Sequence, residues 1–138
     1  MKQGRIVIAF NLLVKLYRIE GVSFGTSSIL FNTKRRLQPF VEHQAEQETL
    51  LAEKYSDGEN ADGSLKMDPD QQAQFFAELK KIQETEIDFS YKPVKMVLDD
   101  HEFRLLGLNG EKMEQLEGFM DIEVDGKKAS DFAGSDSE

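Results

Sequence analysis

The chain of 138 residues has no cysteine, no tryptophan, only two histidines and three prolines, and no apolar run that approaches the length of a membrane span. Each absence removes a class of function. Without cysteine there is no disulfide, no thiolate metal site and no thiol nucleophile, which fits a reducing compartment better than a secreted setting. Two histidines leave a serine triad two possible bases, and no Gly-x-Ser-x-Gly elbow is present to offer a nucleophile. Crossing a bilayer takes about 20 apolar residues, so no membrane span is expected. Lys2 and Arg5 followed by Ile6 to Phe10 superficially resemble an export signal, but Asn11, Lys15 and Arg18 interrupt the stretch and no small-x-small cleavage site follows, so export is not expected.

What is present is enough to fold. Leu, Ile, Val and Phe make up a little over a quarter of the chain, above the range in which disorder is the default. The length is that of one domain. The charge is split: residues 1–40 carry seven Lys/Arg against the single acid Glu20, whereas residues 41–138 carry ten Lys/Arg against twenty-five Asp/Glu, for a net charge of −9 overall. Opposite potentials on two parts of a small molecule speak to partners and association rather than to chemistry.

Along the chain, the β-branched run from Arg5 to Phe10 reads as a strand entering a short helix over Leu12, Leu13, Leu16 and Ile19, with one continuous helix as the close alternative. Gly21 to Ser28 is a turn, in which Thr26 or Ser27 is expected to cap the next helix. That helix is expected over Ser27 to Tyr55, kinked or broken near Gln38 by Pro39. Glu42 to Glu48 has no large apolar residue, so this half either stands partly in solvent or packs against a partner chain. Asp57-Gly58 and Asp62-Gly63 predict positive-φ turns in a small hairpin. Asp68-Pro69-Asp70-Gln71 is a helix start with cap, first-turn proline and capping box, and predicts a helix from Pro69 to Thr85 that buries Phe75, Phe76, Leu79 and Ile82. Ile87 to Tyr91 and Val94 to Leu98 alternate as two short strands, and Asn109-Gly110 opens a last short helix carrying Met113, Leu116 and Phe119. From Asp125 the chain is polar and acidic, and a disordered tail is expected. The fold class is α+β and mostly helical: a long kinked helix and a second helix joined by a hairpin, packed on a small sheet drawn from residues 5–10 and 87–98. Residues 1–124 make one polarised globular domain and residues 125–138 an acidic flexible tail.

The chemistry-bearing clusters are few. His43 and Glu46 sit three apart on one helix face, but zincin spacing needs a second histidine at position 47, which is glutamine, so a solvated face is the better reading. Asp99, Asp100, His101 and Glu102 form the densest ligand cluster and the weak metal candidate; four consecutive residues point in divergent directions, and a polar connection between strands is the simpler reading. Aligning Gly63 with the glycine of a calcium loop puts Gly58 and Pro69 at ligand positions, which excludes an EF-hand. The turn at Gly21 to Ser27 lacks the lysine of a phosphate-binding loop. Lys34, Arg35 and Arg36 form the one compact basic cluster. With no tryptophan and no aromatic residues interleaved among them, direct nucleic-acid binding is not expected, and a solvated face, or an ion-pairing site for an acidic segment of this or a neighbouring chain, is the better reading.

The order of elements, with the Ser-containing turn, Lys34-Arg35-Arg36, Leu50-Leu51-Ala52-Glu53-Lys54-Tyr55, the Asp-Gly hairpin and Phe75-Phe76-Ala77-Glu78-Leu79 leading into Glu86-Ile87-Asp88, resembles a family of small uncharacterised bacteriophage proteins encoded among late structural and lysis genes in phages of Gram-positive bacteria. The resemblance covers residues 5–123 and rests on pattern rather than rigid motifs. It carries over no catalytic residue and implies a role in particle assembly or in handling a host factor, in the host cytoplasm or the virion. Pro39 and the acidic tail depart from the family pattern. The function expected is therefore a non-enzymatic phage interaction factor without cofactors, acting on a phage structural or host protein through Lys34, Arg35 and Arg36. Homo-oligomers are expected from head-to-tail attraction of the two charged ends. A second reading is an acidic nucleic-acid mimic that inhibits a host nucleic-acid-binding or defence protein; the third and least supported is metal-dependent hydrolysis at Asp99, Asp100 and His101.

Overall fold

Ile6, Ala9, Leu12, Leu13 and Leu16 recur at three- and four-residue intervals and close one buried face of a single helix, α1 (Gln3–Tyr17), in the computed structural model, which describes residues 1–125 and 127–128. Residues 5–10 are thus not a strand. The β-branched Ile6-Val7-Ile8 run favours extended backbone only weakly, and burial of the apolar stripe overrides it.

The chain then turns through Gly21, whose positive φ suits the turn, into α2 (Phe24–Tyr55), a helix of 32 residues. Ser23 caps it, accepting from the Thr26 amide at 3.2 Å, so the cap lies three or four residues before the expected Thr26 or Ser27. Leu30, Thr33 and Leu37 form its buried face. Tyr17 meets Phe31 and Gln3 meets Gln47, so α1 and α2 run antiparallel. Pro39 does not break α2. Its missing amide would have bonded the carbonyl of Arg35, and Pro39 itself is exposed, so water can satisfy the freed carbonyl.

Asp57 to Lys66 form the expected hairpin, with backbone bonds from Asp57 to Lys66 and from Lys66 to Gly58, each 2.8 Å, and positive φ at Gly58 and Gly63. Asp68 and Gln71 make the capping box reciprocally at 2.7 and 2.9 Å and start α3 (Pro69–Glu84). Contrary to expectation, α3 buries none of its residues fully: Phe75, Leu79 and Ile82 are half-buried and Phe76 is 61% exposed. The contacts explain why. Tyr55, the last residue of α2, bonds Glu78, and Gly4 lies against the Gln83 backbone, so the first half of α3 extends past the end of α2 with little to pack against.

Residues 87–91 form no strand; an isolated bridge, Lys2 to Glu86, lies just before them. Strand β1 (Val94–Leu98) leads through α4 (Asp100–Leu105) and α5 (Gly110–Leu116) to β2 (Met120–Val124), which pairs with it in parallel, Val94 opposite Met120 and Leu98 opposite Val124. A parallel pair requires a long crossover connection, supplied here by the two short helices. Met96, Leu98, Ile122 and Val124 point into the core, whereas Lys95, Val97 and Asp121 face out. Lys127 and Lys128 form β3, antiparallel to β2, so the chain keeps sheet pairing beyond Asp125; the rest of the tail expected over residues 125–138 lies outside the described residues.

Replacing Pro39 with Ala restores one backbone bond and the helical propensity of the site, partly offset by greater freedom of the unfolded chain. The expected gain is about 2 kcal/mol in urea unfolding. Unchanged or lower stability would mean that α2 needs the proline.

Candidate interaction surface

Consecutive helical residues diverge by about 100° each, so Lys34, Arg35 and Arg36 cannot share one face. The structure gives each a different environment. Lys34 Nζ stands 5.2 Å from the centre of the Phe31 ring and 5.4 Å from that of Tyr17, and the two rings lie 5.6 Å apart. Arg36 Cζ lies 5.5 Å from the Tyr91 ring, which continues through Phe89 into an aromatic column with Phe40 and the buried Phe119. Arg35 points to solvent between them. Cations over exposed rings are held by about 0.5–1 kcal/mol each, enough to orient them without neutralising their charge.

The rings were not legible as partners of these cations. Phe31 precedes Lys34 by three residues and offered a local signal, but Tyr17 and Tyr91 reach the cluster only through the folding of α1 and of the 87–93 segment onto α2. Phe24, the first residue of α2, is 88% exposed and shares the outward face with Phe31 seven residues later.

None of Lys2, Arg5, Lys15, Arg18, Lys34, Arg35 and Arg36 pairs with a carboxylate among the described residues. The ion pairs found there lie elsewhere: the Met1 amine with Glu86, Lys54 with Glu78, Lys95 with Glu123, and Arg104 with Asp100. Arg5 instead donates to the Glu117 carbonyl at 2.6 Å. Lys15, Arg18, Lys34, Arg35 and Arg36, where the end of α1 meets the front of α2, therefore keep their field, whereas Lys2 lies at the opposite end of α1 near Glu86.

Asp99, Asp100, His101 and Glu102 do not converge. Asp99 Oδ1 accepts from the Glu102 amide at 2.7 Å and caps α4, Asp100 pairs with Arg104 Nε at 2.9 Å, and Glu102 accepts from the Ser23 amide at 3.0 Å, tying α4 to the start of α2. His101 is exposed on the first turn. The stretch opens the connection between β1 and β2 as the start of α4, and among the described residues no three His, Asp or Glu side chains are grouped to hold a metal. His43 and Glu46 lie on the exposed side of α2. A cavity of about 10 Å³ beside Arg36, Leu37 and Phe89 has room for one water and none for a cofactor.

In the hairpin, Asp62 Oδ1 accepts from both the Ser64 hydroxyl, at 2.6 Å, and the Ser64 amide, at 3.0 Å. These bonds favour the carboxylate and hold Asp62 below its ordinary pKa, the hydroxyl contributing most. Comparison with family models, with characterised proteins and with solved structures finds no match to this chain.

The lowered pKa of Asp62 means that its contribution to hairpin order is present above the ordinary carboxylate value and is lost as the pH falls through the lowered one. Ser64→Ala should move the Asp62 titration upward in a carboxyl-carbon NMR series. An unmoved titration would show that the hydroxyl does not hold the carboxylate.

Proposed function

We propose that this protein is a non-catalytic binding protein that takes an acidic protein partner on the cationic surface formed where the end of α1, with Lys15 and Arg18, meets the first half of α2. The observation that carries the reading is the set of unneutralised cations there, two of them oriented by solvent-facing rings. Unpaired charge beside exposed aromatic surface is useful at an interface, where arginine and aromatic side chains contribute most of the affinity. In the phage setting implied by the pattern of the sequence, the partner is a virion component or a host protein, met in the host cytoplasm or in the particle.

A second reading is supported by the acidic remainder. Residues 41–88 carry thirteen acids against four lysines. A surface of that kind can compete with a phosphate backbone for a basic target, and DNA would then displace the partner.

Charge reversal of Lys34, Arg35 and Arg36 to Glu separates the two. The helix should remain folded, since Arg35 and Arg36 are exposed and Lys34 is half-exposed. The expected result is loss of co-purifying partner in a pull-down from infected cells, with unchanged circular dichroism. Retention of the partner by the reversed variant would remove this cationic surface as the binding site, and displacement of that retained partner by DNA would favour the mimic.

A further inference from the structure

The buried residues of α2, among them Leu30, Thr33, Leu37, Gln44 and Leu51, fall on one side of the helix, and the side opposite faces solvent from end to end. Along that outward side run Phe31, Arg35, Glu42, Glu46, Leu50 and Glu53, within about one quadrant at 100° per residue for all but Leu50 at its margin. The order is apolar and cationic at the front and anionic at the rear. Arg35 and Glu46 make no ion pair or side-chain hydrogen bond among the described residues, and Glu42 takes only a neutral donor, Gln38, at 3.0 Å.

Arg35 cannot reach these carboxylates within its own helix. Glu42 is seven residues on, about 10 Å along the axis, and Glu46 further still. A parallel copy would set like charges against each other. An antiparallel copy sets Arg35 of each chain against Glu46 of the other, with Glu42 beside it, and brings Phe31 opposite Leu50, which is 65% exposed. The self-complementarity is that of a two-fold interface, in which each contact occurs twice.

We propose that the outward side of α2 is the docking surface for the same side of α2 in a second copy of this chain, running antiparallel, with Arg35 to Glu46 ion pairs in both directions. The proposal rests on the binding role given above and names one partner for it. The overlap from Phe31 to Leu50 is about 29 Å of helix. Its charged character makes the association salt-dependent. It also differs from a head-to-tail contact between the two charged ends, which would not close at two chains.

Sedimentation of the full chain over a concentration series at low salt tests it. The wild-type protein should pass from monomer to dimer and no further, and added salt should shift it back. Arg35→Glu and Glu46→Arg should each weaken dimerisation by about tenfold or more, since each places two repulsive contacts in the interface. A 1:1 mixture of the two variants should form a heterodimer, because the acid introduced at position 35 then meets the base introduced at position 46, and the second contact is the native pair of Arg35 with Glu46. Both positions are exposed, and circular dichroism checks that both variants fold. A wild-type monomer at every concentration, a dimer unchanged by Arg35→Glu, no heterodimer in the mixture, or growth beyond two chains would each overturn self-docking. A monomer whose Lys34, Arg35 and Arg36 reversal still loses a co-purifying acidic protein would overturn self-docking alone and leave the binding role standing.

Discussion

The seam between α1 and α2 is the interaction on which the rest of the molecule depends. Ile6, Leu13 and Leu16 from one helix and Leu30 and Leu37 from the other are essentially removed from water, and each such side chain is worth about 1.5–3 kcal/mol of burial. The same seam supports the sheet, since Met96, Leu98, Ile122 and Val124 belong to the same core. Once the inward side of α2 is fixed in this way, its outward side is fixed too. Cations, rings and carboxylates on that side are displayed because the apolar residues lie elsewhere on the helix.

The seam is not purely apolar. Where α1 starts, Gln3 is buried and donates to Gln47 at 3.0 Å, and the buried Gln44 donates to Glu48 at 3.0 Å while its own side-chain oxygen finds no partner among the described residues. Buried amides cost stability unless paired, and they discriminate against sliding of one helix along the other. Beyond this polar layer the molecule changes character: α2 continues to Tyr55 and α3 runs back along it with none of its residues fully buried. The protein is one core, made from α1, the front of α2 and the β1-α4-α5-β2 unit, with a helical arm that rides on it.

Local chemistry is legible in the sequence wherever it is self-contained. The start of α3 needs only Asp68, Pro69 and Gln71, the hairpin needs its Asp-Gly pairs, and β1 alternates cleanly. The start of α1 reads as a strand because Ile6-Val7-Ile8 is β-branched, and only the packing of the stripe decides otherwise. Strand β2 escapes a reading of the sequence although Met120, Ile122 and Val124 alternate with Asp121 and Glu123; its pairing partner lies across a two-helix crossover. Helical spacing assigns Phe76 to the core, but spacing reports a face and not whether anything covers it. At the candidate surface, the divergence of Lys34, Arg35 and Arg36 follows from helical geometry alone, whereas Tyr17 and Tyr91 are placed beside them only by the tertiary fold.

The division into core and arm decides which surfaces are rigid enough to present a face to a partner. Native-state amide hydrogen exchange tests that division, since local opening and global unfolding separate there residue by residue. Amides of α1, of α2 around Leu30 to Leu37 and of β1 and β2 should exchange only through global unfolding, while those of α3 exchange through a cheaper local opening. Equal protection of α3 and α1 would contradict the division.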